Sequence, residues 1–143
     1  MSELKIEKHF KASPEKVFAF VTQTEHLLKW WGPVGITITE HNLSLSALGA
    51  WSSVMKGSEG NTYKVTGEVL AIDPPNSVEF SWAWHDENDV RGHESSVRFE
   101  VKSDGNGGTL FTMIHSNLPD DETAQNHNQG WSSSFTKLEK LAA

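Results

Sequence analysis

There is no cysteine among the 143 residues. That excludes disulfides, thiol nucleophiles and cysteine-bearing zinc sites, is compatible with a reducing compartment, and leaves a core that must hold by packing alone, as a chain of this length can. Positive charge is also short: 12 Lys and Arg against 19 Asp and Glu give a formal charge of −7. With no basic run to offset it, a nucleic-acid partner is excluded. The start, Met1-Ser2-Glu3-Leu4-Lys5, carries no apolar stretch, and no later run is long enough to span a bilayer. We therefore expect neither a secretion signal nor a membrane segment, and a cytoplasmic location. The Asn42-Leu43-Ser44 sequon then carries no meaning. Linkers, repeats and low-complexity tracts are missing too, so residues 1–143 are expected to form a single domain. Tyrosine is scarce as well, with one Tyr against six Trp.

What is there reads as strands followed by one long helix. Val78, Phe80, Trp82 and Trp84 alternate with Glu79, Ser81, Ala83 and His85, the cleanest two-residue period in the chain. Further strands are expected at 4–10, 36–41, 48–56, 63–72, around Val97, Phe99 and Val101, and at 109–117. Turn residues separate them at 57–61, 73–76 and 104–108. Lys8 shares a side with Leu4, Ile6 and Phe10 and weakens the first strand's pattern. After that strand, Ser13-Pro14-Glu15 opens a short helix, and Thr24 to Trp31 forms a second that Gly32-Pro33 ends. Leu118-Pro119-Asp120-Asp121-Glu122 opens the last helix, Asp121 to Leu141, roughly 30 Å long at 1.5 Å per residue. Its apolar positions Trp131, Phe135 and Leu138 need a partner surface, and an antiparallel sheet has one face to cover. Gly130 in mid-helix costs about 1 kcal/mol against Ala, so close approach or open space is expected there. The architecture is α+β: about seven strands in a curved antiparallel sheet, with two short helices after strand one. A long C-terminal helix closes a cavity against that sheet.

In order along the chain come Ala12-Ser13-Pro14-Glu15-Lys16-Val17-Phe18, Trp30-Trp31-Gly32-Pro33, and Gly67-Glu68-Val69 leading to Pro74-Pro75. Val78-Glu79-Phe80-Ser81-Trp82, Leu118-Pro119 and His127-Asn128-Gln129-Gly130-Trp131 follow. These motifs cover almost the whole chain. The set resembles the activator of heat-shock protein 90 ATPase homologue family, within the START-like (SRPBCC) helix-grip superfamily that includes the birch-pollen allergen fold. Ala47-Leu48-Gly49-Ala50-Trp51 departs from the Pro-Gly-Gly turn of many relatives. The resemblance implies a helix-grip fold and one of three functions: binding of a hydrophobic ligand, co-chaperone action, or cyclase or hydratase-type catalysis. In the chaperone activator a separate N-terminal domain makes essential contacts. The 143 residues hold no such domain, so the purified chain is expected not to stimulate a chaperone ATPase. A dose-dependent rise in ATP turnover would overturn that.

Expected to face the hollow are Trp30, Trp31, Trp51, Phe80, Trp82, Trp84, Phe99, Phe111, Met113, His115, His127, Trp131 and Phe135. Each is also an ordinary core residue; one buried Trp removes about 150–250 Å² from water, up to roughly 4–6 kcal/mol. Six indoles around one helix are hard to pack without voids, and each needs an acceptor for its N–H. The expected guest is a small apolar or aromatic molecule, with contact to a chaperone as the alternative. His115 shares a strand face with Phe111 and Met113, opposite Leu110, Thr112 and Ile114. The family pattern favours the His115 face as the inner one, so His115 and His127 are expected to meet as the polar handle of the hollow. Seven His lack the spacing of a zinc helix. The densest group, His85 with Asp86, Glu87, Asp89 and His93, lies on a polar turn, so no metal and no cofactor is expected. Ser132-Ser133-Ser134 has no nucleophile elbow, and the Gly105–Gly108 turn runs into a strand rather than a helix. No catalytic constellation is visible.

Overall fold

The computed structural model describes residues 1–142. The elements are β1 (Ser2–Phe10), α1 (Pro14–Thr22), α2 (Thr24–Trp30), β2 (Thr37–Asn42), β3 (Gly49–Lys56) and β4 (Thr62–Asp73). They continue with β5 (Ser77–Trp84), β6 (Ser95–Ser103), β7 (Thr109–Leu118) and α3 (Asp121–Leu141). The strands form one seven-stranded sheet in the order β1-β7-β6-β5-β4-β3-β2, antiparallel throughout. β1 and β2 thus lie on opposite edges, and α1 and α2 carry the chain from one edge to the other. That journey is why two short helices interrupt an otherwise hairpin-linked sheet. Register shifts in β1/β7, β2/β3 and β4/β5 mark bulges, which add local twist and let the sheet wrap a helix.

Local chemistry sets the helix starts. The Ser13 Oγ accepts the Lys16 N–H at the head of α1, with Pro14 in the first turn. Asp120 Oδ1 accepts the Thr123 N–H at 2.8 Å, and Asp121 and Glu122 occupy the positive end of α3. The helix then lies over β1 and β7 and against α2. Lys8, the residue that spoils the apolar side of β1, reaches Glu139 on α3 at 3.0 Å. The misplaced charge is a rim contact between edge strand and helix. Beyond the expected core, the 43–48 loop buries Leu43 and Leu45 completely. It is tied down by the Leu45 N–H to the Thr22 carbonyl and the Thr24 hydroxyl to the Leu43 carbonyl.

Candidate ligand-binding cleft

Inward-facing side chains of β3, β5, β6 and β7 meet the buried face of α3 in an aromatic cluster. The C-terminal half of α3 seals it: Phe135 packs on Trp30 and Phe111, at 5.8 and 5.5 Å between ring centroids. Further toward the helix N-terminus the packing opens into a cleft of about 530 Å³. Trp82, Trp84 and Trp131 line it from β5 and α3, joined by Trp31 after α2 and His127 on α3. The segment from Gly32 to Ile36, Met55, the β3–β4 hairpin with Ser58 and Tyr63, and Asn126, Gly130 and Ser134 complete the walls.

Of the expected residues, the structure brings Trp31, Trp82, Trp84, His127 and Trp131 to the cleft. Trp30, Trp51, Phe80, Phe99, Phe111, Met113, His115 and Phe135 do not line it; each is at most 1% exposed and packs behind it. The physical reason is volume. Rings such as Phe80 and Phe99, 5.2 Å apart edge to face, fill the space between sheet and helix instead of enclosing it. The hollow expected between sheet and helix therefore lies against the part of α3 from Asn126 to Ser134. Sequence reasoning missed the 32–36 segment and Tyr63. A signal was present for one of them: Val34 is a large apolar side chain in a turn between Gly32-Pro33 and Gly35, whereas Tyr63 lies near the start of β4, where strand pattern alone does not mark it; both are substantially exposed.

The polar groups within the cluster are directional. An indole N–H can only donate. Trp131 Nε1–H donates to His115 Nδ1 at 3.1 Å, so the neutral imidazole carries its proton on Nε2 and donates it to Ser95 Oγ at 2.7 Å. The Ser95 hydroxyl passes its own proton to the Trp82 carbonyl. His127 is the mirror case: Nε2 accepts from Trp84 Nε1–H at 2.9 Å, and Nδ1–H donates to the Thr123 carbonyl at 2.8 Å. The two imidazoles face each other with centroids 4.7 Å apart. Burial holds both below the ordinary histidine range, and repulsion between the two rings were both to protonate adds to the effect on His115, which is pushed down to about 3.

The geometry corrects the expected polar handle. All four ring nitrogens of the pair already have partners, so neither imidazole has a free atom for a guest. Trp30, Trp31 and Trp51 also satisfy their N–H groups, on the Phe20 carbonyl, Ser53 Oγ and the Ser81 carbonyl. Among the described residues two buried side-chain nitrogens lack a partner: His26 Nδ1, and the indole N–H of Trp82, the one tryptophan whose buried N–H finds no acceptor. Its neighbours Trp31, Trp51, Trp84, Trp131 and His115 all lie within 5.7 Å between centroids, so ring π systems rather than oxygens surround it.

The His85 turn forms a separate network. Thr66 Oγ1 lies 2.9 Å from His85 Nε2, and His85 Nδ1 lies 2.9 Å from Asp89 Oδ1, with Lys64 also on Asp89. A hydroxyl, imidazole and carboxylate in line invite a nucleophilic reading. However, Arg91 donates to the Thr66 hydroxyl and carbonyl, and none of these residues lines the cleft. The arrangement pins the β5–β6 connection to β4. Among the described residues no group of three or more His, Cys, Asp or Glu is placed to hold a metal ion, and no helix is long and apolar enough to cross a membrane.

Gly130 sits on the cleft wall, and a Cβ built there would meet only Pro33, at 4.0 Å. Space, not close approach, explains the glycine. We expect Gly130→Leu to fold, to gain up to about 1 kcal/mol from helix propensity, and to fill the cleft. Thermal melting and ligand titration check both halves together. A variant that melts lower, or binds as before, would contradict this placement.

An open antiparallel sheet gripping one long C-terminal helix, with an aromatic cleft between them, defines the START-like helix-grip class. Within it the chain belongs to the family described as activator of Hsp90 ATPase homolog 1-like protein, whose model matches residues 11–143. It is similar to the solved AHSA1 protein of Silicibacter pomeroyi: 42% identity over 98% of this chain and 96% of that one, TM-score 0.94. Two more distant structures share the fold. A Mycobacterium smegmatis protein, Ms6760, is 23% identical over 99% of this chain and 90% of its own, TM-score 0.81. The protein CV1439 of Chromobacterium violaceum is 18% identical over 98% and 96%, TM-score 0.85. No curated protein matches this chain.

Proposed function

We propose that this helix-grip domain binds one small apolar or aromatic molecule in the cleft between the sheet and the N-terminal half of α3. The observation that carries the reading is the cleft itself: about 530 Å³, with walls from Trp31, Trp82, Trp84 and Trp131. That volume lies within the range of small-molecule sites. Four indoles at the surface of a cleft are apolar area that a guest would remove from water. Titration with a panel of aromatic compounds and fatty alcohols is expected to quench Trp emission saturably and to raise the melting temperature, because a ligand selective for the folded state stabilises it. Neither effect across such a panel would sink the proposal. Native mass spectrometry of freshly purified protein is the complementary search for a co-purifying guest.

A co-chaperone role acting through the surface is the second reading. The family description favours it, as does the dense packing that fills most of the space under α3. Loss of chaperone contact on substituting exposed residues, with the cleft untouched, would separate it from the first. A cyclase or hydratase has less support, since it needs a free imidazole nitrogen beside the guest and His127 has none.

A further inference from the structure

The cleft's lining is chemically one-sided in a way that narrows its ligand. It contains no Asp, Glu, Lys or Arg, although the chain carries 31 such residues, 12 basic and 19 acidic. Its titratable side chains are the Tyr63 phenol and the His127 imidazole. The Trp84 N–H on Nε2 and the Thr123 carbonyl on Nδ1–H fit only an uncharged His127 ring. An ion entering this space would shed water and meet no countercharge, an unfavourable exchange. The buried Ser134 hydroxyl is spent on the Gly130 carbonyl, so the polar side chains open to a guest are neutral hydroxyls and an amide: Ser58 and Tyr63 on the β3–β4 hairpin and Asn126 on α3. All three belong to exposed residues, so they stand at the mouth, with indoles further in.

The contrast lies on the other side of a thin wall. Trp31, Gly35 and Ile36 also border a second cleft of about 530 Å³. That one is edged by Lys29, His41 and Lys137. Lys137 donates weakly to the Trp31 and Pro33 carbonyls, 3.5 Å each. Positive charge is thus available close by, yet it is all placed outside the aromatic cleft.

Resting on the binding reading above, we infer that the guest is an uncharged aromatic compound with a neutral hydroxyl, carbonyl or amide. Its ring system lies against the tryptophans, and its polar end meets Ser58, Tyr63 and Asn126 at the mouth. Anionic guests such as fatty acids, aryl carboxylates or phosphates are excluded from it, as are aryl ammonium ions.

The test uses isosteric probes of different charge: 2-naphthol, 2-naphthoate and 2-naphthylmethylammonium, with naphthalene as the fully apolar member. Binding is read by Trp quenching and calorimetry at pH 7.5 on the full chain and on Gly130→Leu, which blocks the aromatic cleft. The expected result is saturable binding of 2-naphthol that Gly130→Leu abolishes, with both ions at least tenfold weaker. Should Gly130→Leu unfold, Ser134→Leu from the same wall serves instead. Tyr63→Phe combined with Asn126→Leu should weaken 2-naphthol several-fold while leaving naphthalene unchanged. Naphthoate that binds but ignores the block, and is lost in Lys137→Gln, occupies the second cleft and agrees with the assignment. An ion that binds within threefold of 2-naphthol and is abolished by the block overturns the charge assignment while leaving the binding reading intact. Equal losses of naphthol and naphthalene in the mouth variant overturn the polar end. If no probe binds, the binding reading itself falls, and this inference with it.

Discussion

Acidification from pH 7 to pH 4 is expected to cost the fold about 3 kcal/mol through His115 alone. The sign follows from the hydrogen bonds. In the native state Trp131 donates to Nδ1 and Nε2–H donates to Ser95, so a second ring proton would place N–H against N–H in a buried site. Burial, and then the adjacent His127, push the His115 pKa down to about 3 from an ordinary 6.5. The unfolded chain therefore takes up a proton on falling through pH 6.5 that the folded chain refuses until about pH 3. Stability is full above the unfolded value and declines between the two by about 1.4 kcal/mol per pH unit. His127, also lowered by burial, acts in the same direction. Asp89, Asp104 and Asp120, held below the ordinary carboxylate value chiefly by hydrogen bonds, lose their contributions only at more acid pH. Urea unfolding of the wild type and His115→Asn between pH 4 and 7 checks this. The amide keeps an acceptor near Nδ1 but cannot titrate, so the variant's slope should be shallower by about 1.4 kcal/mol per pH unit. Parallel slopes would show that His115 is protonated without cost.

Why was this pair legible in sequence while its role was not? The two-residue period of β7 groups His115 with Phe111 and Met113, the family resemblance chooses that face as the inner one, the helical spacing puts His127 on the buried side of α3, and the rings do meet at 4.7 Å. Which atoms they would find there depends on Trp84 and Trp131, whose N–H groups arrive from β5 and α3. The same holds for the tryptophans. Periodicity groups Trp82 with Trp84 on one strand face and puts Trp131 on the apolar stripe of α3, but an inward side chain can face a void or another ring. Trp51 and Trp82 are the instructive case, with centroids 5.5 Å apart. Trp82 borders the cleft, whereas Trp51, across β4 from it, is covered by Trp31 and Phe80. Depth along the sheet decided this, and depth is a three-dimensional quantity. The long helix, by contrast, was readable to its ends because Asp120, Asp121 and Glu122 carry local capping chemistry.

Gly67→Ala is expected to be the most damaging single methyl in the chain. Gly67 lies in β4, paired with Trp51 of β3, at the point where β4 meets β5 next to a register shift. A Cβ there would lie 1.9 Å from the Ser81 carbonyl oxygen and 2.6 Å from Trp51 Nε1. Neither contact can be relieved by turning a flexible side chain, because one partner is backbone and the other a fully buried indole. The missing Cβ leaves the path along which Trp51 Nε1–H reaches the Ser81 carbonyl at 3.2 Å. The neighbouring Glu68 N–H is held by the Ser81 hydroxyl at 2.9 Å, so the glycine and its successor together fasten β4 to β5. Adding the methyl forces the strands apart, strands the indole N–H, and displaces Trp51 from Trp31, Phe80 and Trp82, its neighbours at the back of the cleft. Overpacking of about 1–3 kcal/mol and a buried unsatisfied donor of about 1–3 kcal/mol sum to roughly 2–6 kcal/mol. That is a large fraction of a typical domain's stability, so low soluble yield or a steeply lowered urea midpoint is the expected outcome. Trp51→Phe is the partial control: it removes the N–H without adding bulk between the strands and should cost less than the glycine substitution. A Gly67→Ala protein within 1 kcal/mol of wild type, a bound below the roughly 2–6 kcal/mol expected, would mean that β4 and β5 can part without loss, and that Trp51 is not anchored across the glycine.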